Sequence, residues 1–198
     1  LIDSAISHRG PDGLGRFDAS YPSSQQSLHI TLLHRRLSII DIDGGAQPMT
    51  ARAGAAAVSI VFNGCIYNHR HLRSALEARG VRFSSSHSDT EVICQGLLLD
   101  GPEFIRKLDG MFAIAACFIG PAVQSSSPQP SFLLARDSHG EKPLYASLGD
   151  ESLIFASSAA AVIRASPAFF DSRSLPSAAS LASYLAMGWD INVTAPTK

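Results

Sequence analysis

The stretch that most constrains this chain is an apolar, largely β-branched run that meets an Asn-Gly pair. Residues 58–62 have the composition of a buried strand, and Asn63-Gly64 follows them directly. Asn68 then stands at the N-cap position of an amphipathic helix that ends at Gly80. The sequence therefore predicts a strand that breaks at Asn63 and turns into a helix.

This corner is compatible with two structures. Asn-Gly is a common turn dipeptide, so the pair taken alone favours a simple tight turn. Alternatively, the Asn63 side-chain amide and the Gly64 backbone N–H lie together at a strand end. Two such donors can stabilise the oxyanion that develops when a carbonyl is attacked. Other parts of the chain are needed to choose between a turn and a binding corner.

The order of strand-like and helix-like segments predicts the fold class. Strand-like segments begin at Leu28 and return after residue 110, whereas helices are predicted over 68–80 and 88–100. Ser88 and Glu91 have the spacing of a reciprocal capping box at the start of the second helix. Residues 51–57 are predicted to be a small-residue connection. Without strict β-α-β alternation, this pattern favours an α+β fold with mainly antiparallel sheets.

Composition excludes several classes of protein. The net charge of −1 gives no reason to expect a nucleic-acid partner, and no apolar run approaches the roughly 18 residues of a membrane span. Cys65, Cys94 and Cys117 are widely spaced and form no Cys-x-x-Cys pair, which indicates neither a disulfide framework nor a zinc site. The seven histidines show no metal-ligand spacing, so no metal is expected. A reducing, cytoplasmic location fits this cysteine usage.

Two charged residues are candidate ligands for a zwitterion. Arg36 lies in an otherwise apolar strand, where a guanidinium needs an anionic partner. That partner is either a ligand carboxylate or an internal carboxylate such as Asp41 or Asp43. Asp89, in the first turn of a predicted helix, either caps the helix or faces a ligand ammonium. Together, Arg36 and Asp89 could bracket a molecule of the amino-acid type.

Seven short sequence blocks, taken in their order along the chain, are informative together: residues 8–13, 36–41, 45–49, 63–69, 88–92, 108–113 and 135–145. They read, among others, His-Arg-Gly-Pro-Asp-Gly, Arg-Leu-Ser-Ile-Ile-Asp, Asn-Gly-x-Ile-Tyr-Asn-His and Ala-Arg-Asp-x-x-Gly-Glu-Lys-Pro-Leu-Tyr. In this order they resemble the class II glutamine amidotransferases, specifically the glutaminase half of glutamine-hydrolysing asparagine synthetases of the AsnB type.

The resemblance implies a four-layer αββα sandwich of two mainly antiparallel sheets, the N-terminal-nucleophile (Ntn) hydrolase fold. It implies an amidotransferase domain at residues 1–165, and at 166–198 a linker with the start of a connection to a synthetase domain. Glutamine would be hydrolysed to glutamate and ammonia. The synthetase domain, a ligase that uses ATP and Mg²⁺, would consume the ammonia and convert aspartate to asparagine. No cofactor is implied for the amidotransferase domain, and a homodimer is one option for its assembly.

The resemblance also implies roles for individual residues. Asn63 and Gly64 would form the oxyanion hole, Arg36 would bind the glutamine α-carboxylate and Asp89 its α-amine. The complete implied glutamine site is Arg36, Leu37, Ser38, Ile39, Ile40, Asn63, Gly64, Cys65 and Asp89. The family nucleophile is the N-terminal cysteine of the mature protein, upstream of the 8–13 block. We therefore expect the full-length product to begin Met-Cys-Gly, and the 198-residue chain alone to lack glutaminase activity.

Two positions depart from the family pattern. Cys65 stands where the family usually has a glutamate that helps to hold the substrate ammonium, and Ser158 also replaces a usual glutamate. No Cys/His signature surrounds Cys65, so we do not expect it to be a nucleophile. The departure at Cys65 leaves an alternative open, a degenerate, non-catalytic domain with an assembly or regulatory role. Another class II amidotransferase is a further alternative.

Overall fold

A computed structural model describes residues 2–21, 27–36, 46–120, 131–149 and 151–166. In chain order the elements are α1 (Ile2–Ile6), a 3₁₀ turn (Ser7–Arg9), β1 (Gly13–Tyr21), β2 (Leu28–Arg36), β3 (Met49–Ala53), β4 (Ala56–Ile66), α2 (His69–Glu77), α3 (Asp89–Asp100), a second 3₁₀ turn (Gly101–Lys107), β5 (Gly110–Ile119), β6 (Ser131–Arg136), β7 (Tyr145–Leu148), β8 (Leu153–Ala156) and α4 (Ala159–Ala165). In this part of the chain, no helix has both the length and the apolar character needed to cross a membrane.

The strands form one four-stranded antiparallel sheet and two antiparallel pairs. The larger sheet has the order β3-β4-β5-β6, and the pairs are β1-β2 and β7-β8. One face of the larger sheet is covered by α2 and α3, whose residues Leu76 and Ile93 share its main core. The other face packs against β2, where Leu32 is completely buried. The helices α1 and α4 lie outside β8, so the predicted α+β sandwich is confirmed.

The predicted strand break at Asn63 is wrong. Strand β4 continues to Ile66, with Asn63 opposite Ala113 and Ile66 opposite Gly110. Asparagine and glycine are poor strand residues, but β5 offers an unbroken ladder of partners along this length, and tertiary pairing overrides local propensity. The strand is buried up to Phe62, after which the Asn63 and Cys65 side chains are exposed. The predicted corner is therefore the more exposed end of β4, which stays paired with β5.

Two further strands differ from the sequence prediction. Residues 51–57, predicted to be a connection, contribute to β3 and β4, which pair with Met49 opposite Ile60. Alanine has little strand preference, and only the neighbouring strand makes this segment extended. Strand β1 was not predicted, although exposed Arg16, Asp18 and Ser20 alternate there with inward-facing residues. Its glycines and its exposed Leu14 obscure that period of two in the sequence.

The start of α3 is fixed by half of the predicted capping box and by a second interaction. The Glu91 backbone N–H donates to Ser88 Oγ at 3.2 Å, as predicted. The Glu91 carboxylate, however, does not return to Ser88. It accepts hydrogen bonds from the backbone N–H groups of Ser84 at 2.6 Å and Ser85 at 2.8 Å. Burial raises the pKa of Glu91, but these hydrogen bonds outweigh burial and lower it overall. The carboxylate thereby ties the loop before α3 to the helix.

Gly96 allows α3 to lie against the second 3₁₀ turn. A methyl group at Gly96 would come within 2.2 Å of the Phe104 ring, which is only 1% exposed. Alanine normally stabilises a helix by ~1 kcal/mol relative to glycine. Overpacking a rigid core costs ~1–3 kcal/mol, so we predict that Gly96→Ala lowers the free energy of unfolding. Urea denaturation measures the change.

The matched control is the double variant Gly96→Ala/Phe104→Leu, in which the added methyl group gains space. Part of the lost stability should return relative to the sum of the two single substitutions. If Gly96→Ala instead raises the urea midpoint, the close packing of α3 on Phe104 is contradicted.

Candidate active site at the end of strand β4

The candidate site is built on residues 63–65, where β4 leaves the core. Gly64 approaches its neighbouring strand closely, because a Cβ atom there would lie 2.1 Å from the backbone oxygen of Met111. Asn63 and Cys65 are two residues apart, so their side chains lie on one face of the sheet. Val61, on the same face, packs in the cluster that contains Leu32 of β2. The Asn63 side chain therefore faces the space between the large sheet and β2.

The backbone N–H of Gly64 points to the edge of β4 that is turned away from β5. Its partner Phe112 uses its own N–H to donate to Asp137 Oδ2 at 3.2 Å, and its carbonyl accepts from the Asp137 N–H at 2.9 Å. Gly64 and Phe112 are thus a non-hydrogen-bonded pair of the antiparallel ladder. In such a pair, the N–H and C=O groups of both residues are directed outward.

On that same edge of β4, polar side chains accept hydrogen bonds from the neighbouring backbone N–H groups. The Phe62 N–H donates to Gln47 Oε1 at 2.6 Å, and the Ile66 N–H donates to Asp89 Oδ2 at 3.1 Å. Gly64 lies midway between these two capped positions. The structure therefore brings Asn63, Gly64, Cys65 and Asp89 together, as expected, and adds Gln47, which sequence reasoning missed. The Gln-Pro dipeptide in the 45–49 block was the available signal.

The remaining predicted ligands lie on or after β2. Arg36 is the last residue of β2 and is half-buried. Its positive charge helps to lower the pKa of His34, which places the guanidinium near that ring. Leu37, Ser38, Ile39 and Ile40, predicted to line the pocket, lie outside the described residues, as do Asp41 and Asp43. Their roles and the possible ion pair with Arg36 stay predictions.

Asn68 has a different role from the predicted helix cap. It occupies the N-cap position of α2, but its side chain makes no capping hydrogen bond. Its Nδ2 donates to the Lys107 carbonyl at 2.9 Å, and its Oδ1 accepts from the Asp109 N–H at 3.1 Å. The Tyr67 N–H also donates to the Asp109 carbonyl at 2.7 Å. Asn68 therefore fastens the end of β4 to the entrance of β5, a contact across about forty residues that no local pattern could indicate.

Asp137 was also missed as a structural residue of the site. It is buried, and its carboxylate accepts from the backbone N–H groups of Phe112, Glu141 and Lys142. Burial raises the pKa of Asp137, but these hydrogen bonds outweigh it and bring the pKa to about 2. The ligand atoms of Asp137, His139 and Glu141 lie within 4.8 Å of one another. Because the Asp137 oxygens already accept backbone hydrogen bonds, this group is poorly suited to a metal.

The three cysteines divide as expected. Cys94 and Cys117 are buried core residues, and burial raises their pKa to about 12 and about 11, respectively. Cys65 is exposed beside Asn63 and Gly64. Its thiol therefore lies at the candidate site, at the position for which the sequence resemblance implies a glutamate.

A cavity of about 270 Å³ lies between the large sheet and the strand pairs, next to Asn63. Its floor is formed by β4 and β5, and its walls come from β2 and from β8 with the following residue Ser157. His34 and Asn63 are both among the residues that line it. The cavity thus connects the candidate oxyanion corner with β2.

Comparison with known proteins assigns the family. A family model described as a glutamine amidotransferase domain matches residues 2–193, and the chain belongs to that family. It is 37% identical over 144 residues to a probable glutamine-hydrolysing asparagine synthetase of Dictyostelium discoideum, covering 73% of this chain and 23% of the relative. It is 39% identical over 159 residues to asparagine synthetase 2 of Arabidopsis thaliana, covering 79% and 24%. The chain thus spans about a quarter of the length of these curated relatives.

Solved structures support the fold. The glutamine phosphoribosylpyrophosphate amidotransferase of B. subtilis matches with a TM-score of 0.55 and 18% identity, covering 82% of this chain and 40% of that protein. A structure of the allosteric regulatory enzyme of purine biosynthesis matches with a TM-score of 0.56 and 20% identity, covering 79% and 38%. The Ntn-hydrolase fold expected from the sequence is thereby confirmed. The domain division at residues 165 and 166 stays a prediction, since most of 166–198 lies outside the described ranges.

The low pKa of Asp137 predicts acid sensitivity. A carboxylate with a depressed pKa contributes stability above its ordinary pKa of 3.8, and that contribution is lost as the pH falls toward about 2. We therefore predict that Asp137→Asn is less stable at neutral pH but loses less further stability between about pH 5 and pH 2.5 than the wild type. Chemical denaturation across this pH range measures both effects.

Glu103→Gln, on an exposed side chain, is the matched control and should follow the wild type. An unchanged pH slope for Asp137→Asn would show that the buried carboxylate does not hold the start of β5.

Proposed function

We propose that this chain is the glutamine-hydrolysing domain of an asparagine synthetase. The observation that carries the proposal is the outward-facing Gly64 N–H beside Asn63, flanked on the same strand edge by Asp89. The family assignment and the names of the similar proteins agree with this chemistry.

Glutamine would bind with its carboxamide at the end of β4. Attack on the carboxamide carbon places negative charge on its oxygen, and the Asn63 amide with the Gly64 N–H would donate hydrogen bonds to it. Asp89 uses Oδ2 for the Ile66 N–H, which leaves its other oxygen for the substrate ammonium. Arg36 would bind the substrate carboxylate. The sulfur of a cysteine nucleophile would form a thioester with the carboxamide carbon as ammonia leaves. Water would then hydrolyse this thioester, which releases glutamate and restores the thiol.

The nucleophile in this proposal is a cysteine upstream of residue 8, as the family resemblance implies. The cavity between β2 and β8 offers a place for the segment that carries it. Within the described part of the chain, β2 pairs only with β1, and β8 pairs only with β7. Both strands line the cavity, so an extended segment lying there could hydrogen bond to their open edges. Its end would then come close to Asn63.

The ammonia would serve a synthetase domain of the same polypeptide. ATP and Mg²⁺ would belong to that domain, and aspartate would be the acceptor. Asn63→Ala in the full-length protein tests the site. Removing one oxyanion donor should lower the glutaminase kcat by ~10²–10³, while synthesis from added ammonia continues, because that reaction bypasses glutamine hydrolysis.

Asn68→Ala is a useful comparison, since Asn68 only fastens the strand end and should act through stability. Full glutaminase activity of Asn63→Ala would reject the oxyanion role. Loss of ammonia-dependent synthesis in the same variant would mean that the substitution disturbs the whole protein.

Cys65 supports a second candidate function, a degenerate domain that serves assembly or regulation. The exposed thiol stands at the corner where the family usually has a glutamate, and a neutral thiol cannot balance a substrate ammonium. The loss of one of two carboxylates costs about 1.5–3 kcal/mol, the size of a charged hydrogen bond. Such a loss would weaken glutamine binding without removing it.

Cys65→Glu in the full-length protein separates these candidates. If the site is a working glutaminase, the substitution should lower the glutamine KM by about tenfold to a hundredfold, because the missing charge is restored. Cys65→Gln is the control that adds similar volume without charge and should leave KM near its original value. If neither the wild type nor Cys65→Glu releases glutamate, the degenerate domain is favoured.

A further inference from the structure

Gln47 lies just before β3, beside the edge of β4 that is turned away from β5. Strand β3 pairs with β4 in a register that places Met49 opposite Ile60. Two residues further along both strands, the same register would place Gln47 opposite Phe62. The Phe62 N–H points to this edge, so a continued ladder would give it the Gln47 backbone carbonyl as its acceptor.

The side chain of Gln47 takes that place instead. Strand β3 begins at Met49, and the Phe62 N–H donates to Gln47 Oε1 at 2.6 Å. The backbone carbonyl of Gln47 lies against β1, where a Cβ atom at Gly15 would collide with it. Gln47 therefore satisfies β4 with its side-chain carbonyl while its main chain is held close to the neighbouring layer.

This exchange decides what covers Gly64. If the ladder continued past Gln47, its next step would place the backbone of residue 45 opposite Gly64, whose N–H points to the same edge. Because β3 begins only at Met49, that strand ends before it reaches Gly64. The side-chain hydrogen bond of Gln47 thus marks the point at which pairing on this edge stops.

The Phe62 N–H requires an acceptor from the protein. Phe62 is only 4% exposed, and a buried backbone N–H without a partner is costly. If the Gln47 side chain could not accept, the strand edge would shift or pair with the backbone of the 45–48 segment. Either change would move or cover the Gly64 N–H, two residues away.

We propose that Gln47 is a positioning residue, whose side-chain carbonyl replaces a backbone acceptor, ends the β3-β4 ladder before Gly64, and so keeps the Gly64 N–H open and fixed for the substrate oxyanion. This inference rests on the proposed glutaminase function. Gln47 acts here through the strand edge and not by contact with glutamine, whose charged groups are assigned to Arg36 and Asp89.

Gln47→Met in the full-length protein tests the proposal, because methionine keeps the length of the side chain but removes the amide oxygen. Glutamate release measures the effect. We expect kcat to fall by about tenfold to a hundredfold, since a displaced oxyanion donor is lost mainly in the transition state. KM for glutamine should stay within about twofold, because the groups assigned to the substrate charges are unchanged.

Two further variants separate positioning from general stability. Gln47→Glu keeps an oxygen acceptor at the same length and should retain at least about five times the kcat of Gln47→Met. Thr50→Val removes the 2.7 Å hydrogen bond between Thr50 Oγ1 and Ser59 Oγ, which joins the same two strands away from Gly64. It should lower the urea midpoint but leave kcat within about twofold of the wild type.

Four results would overturn the proposal. They are a kcat of Gln47→Met no lower than that of Thr50→Val, a kcat of Gln47→Glu as low as that of Gln47→Met, a raised KM with normal kcat, and a parallel loss of synthesis from added ammonia. The third result would make Gln47 a glutamine ligand, and the fourth would show that it acts through overall stability. Failure of the proposed function is distinguishable, because the wild type itself would then release no glutamate.

Discussion

The pairing of β4 with β5 supports both the core and the candidate site. Its buried half joins Ile60 and Ile114 in the main hydrophobic cluster. Its exposed half keeps Asn63 and Gly64 in an extended ladder with Ala113 and Phe112. The N–H and the carbonyl of Phe112 both hydrogen bond to Asp137 and not to Gly64. Because Gly64 and Phe112 are therefore a non-hydrogen-bonded pair of the antiparallel ladder, the Gly64 N–H is directed away from β5. The pairing of β4 with β5 thus builds part of the core and also leaves the Gly64 N–H available as a hydrogen-bond donor at the edge of β4.

Rigid placement of that donor depends on polar side chains from distant segments. Gln47 and Asp89 cap the N–H groups on either side of Gly64, and Asn68 ties the strand end to the entrance of β5. An open sheet edge must satisfy its donors, and here side chains perform this task at alternate positions. Donors that are fixed before the reaction stabilise developing charge without reorganisation, which is the requirement for an oxyanion site.

The cavity between the large sheet and the strand pairs is lined in part by polar residues. Arg9, Thr31 and Arg35 are paired at its margin, whereas the buried Nδ1 of His34 lies in the same cavity as Asn63. Among the described residues, His34 Nδ1 is thus a buried atom of the cavity lining that has no hydrogen-bond partner. Cys65 gives the same end a neutral thiol, so electrostatic balance around a bound ammonium would rest on Asp89.

The sequence by itself determined the fold class and the two central helices, because apolar periodicity and helix signals are local properties. That Asn63, Gly64 and Asp89 share one site was implied only by the resemblance of the ordered sequence blocks to a known family, not by any local pattern. Tertiary structure decided the rest. The continuation of β4 through Asn63, the strand at Met49–Ala53, and the contacts of Asn68 and Asp137 all depend on partners far along the chain. Strand pairing and side-chain clamps are non-local, and a strand register or a buried nitrogen such as His34 Nδ1 exists only once the layers have packed together.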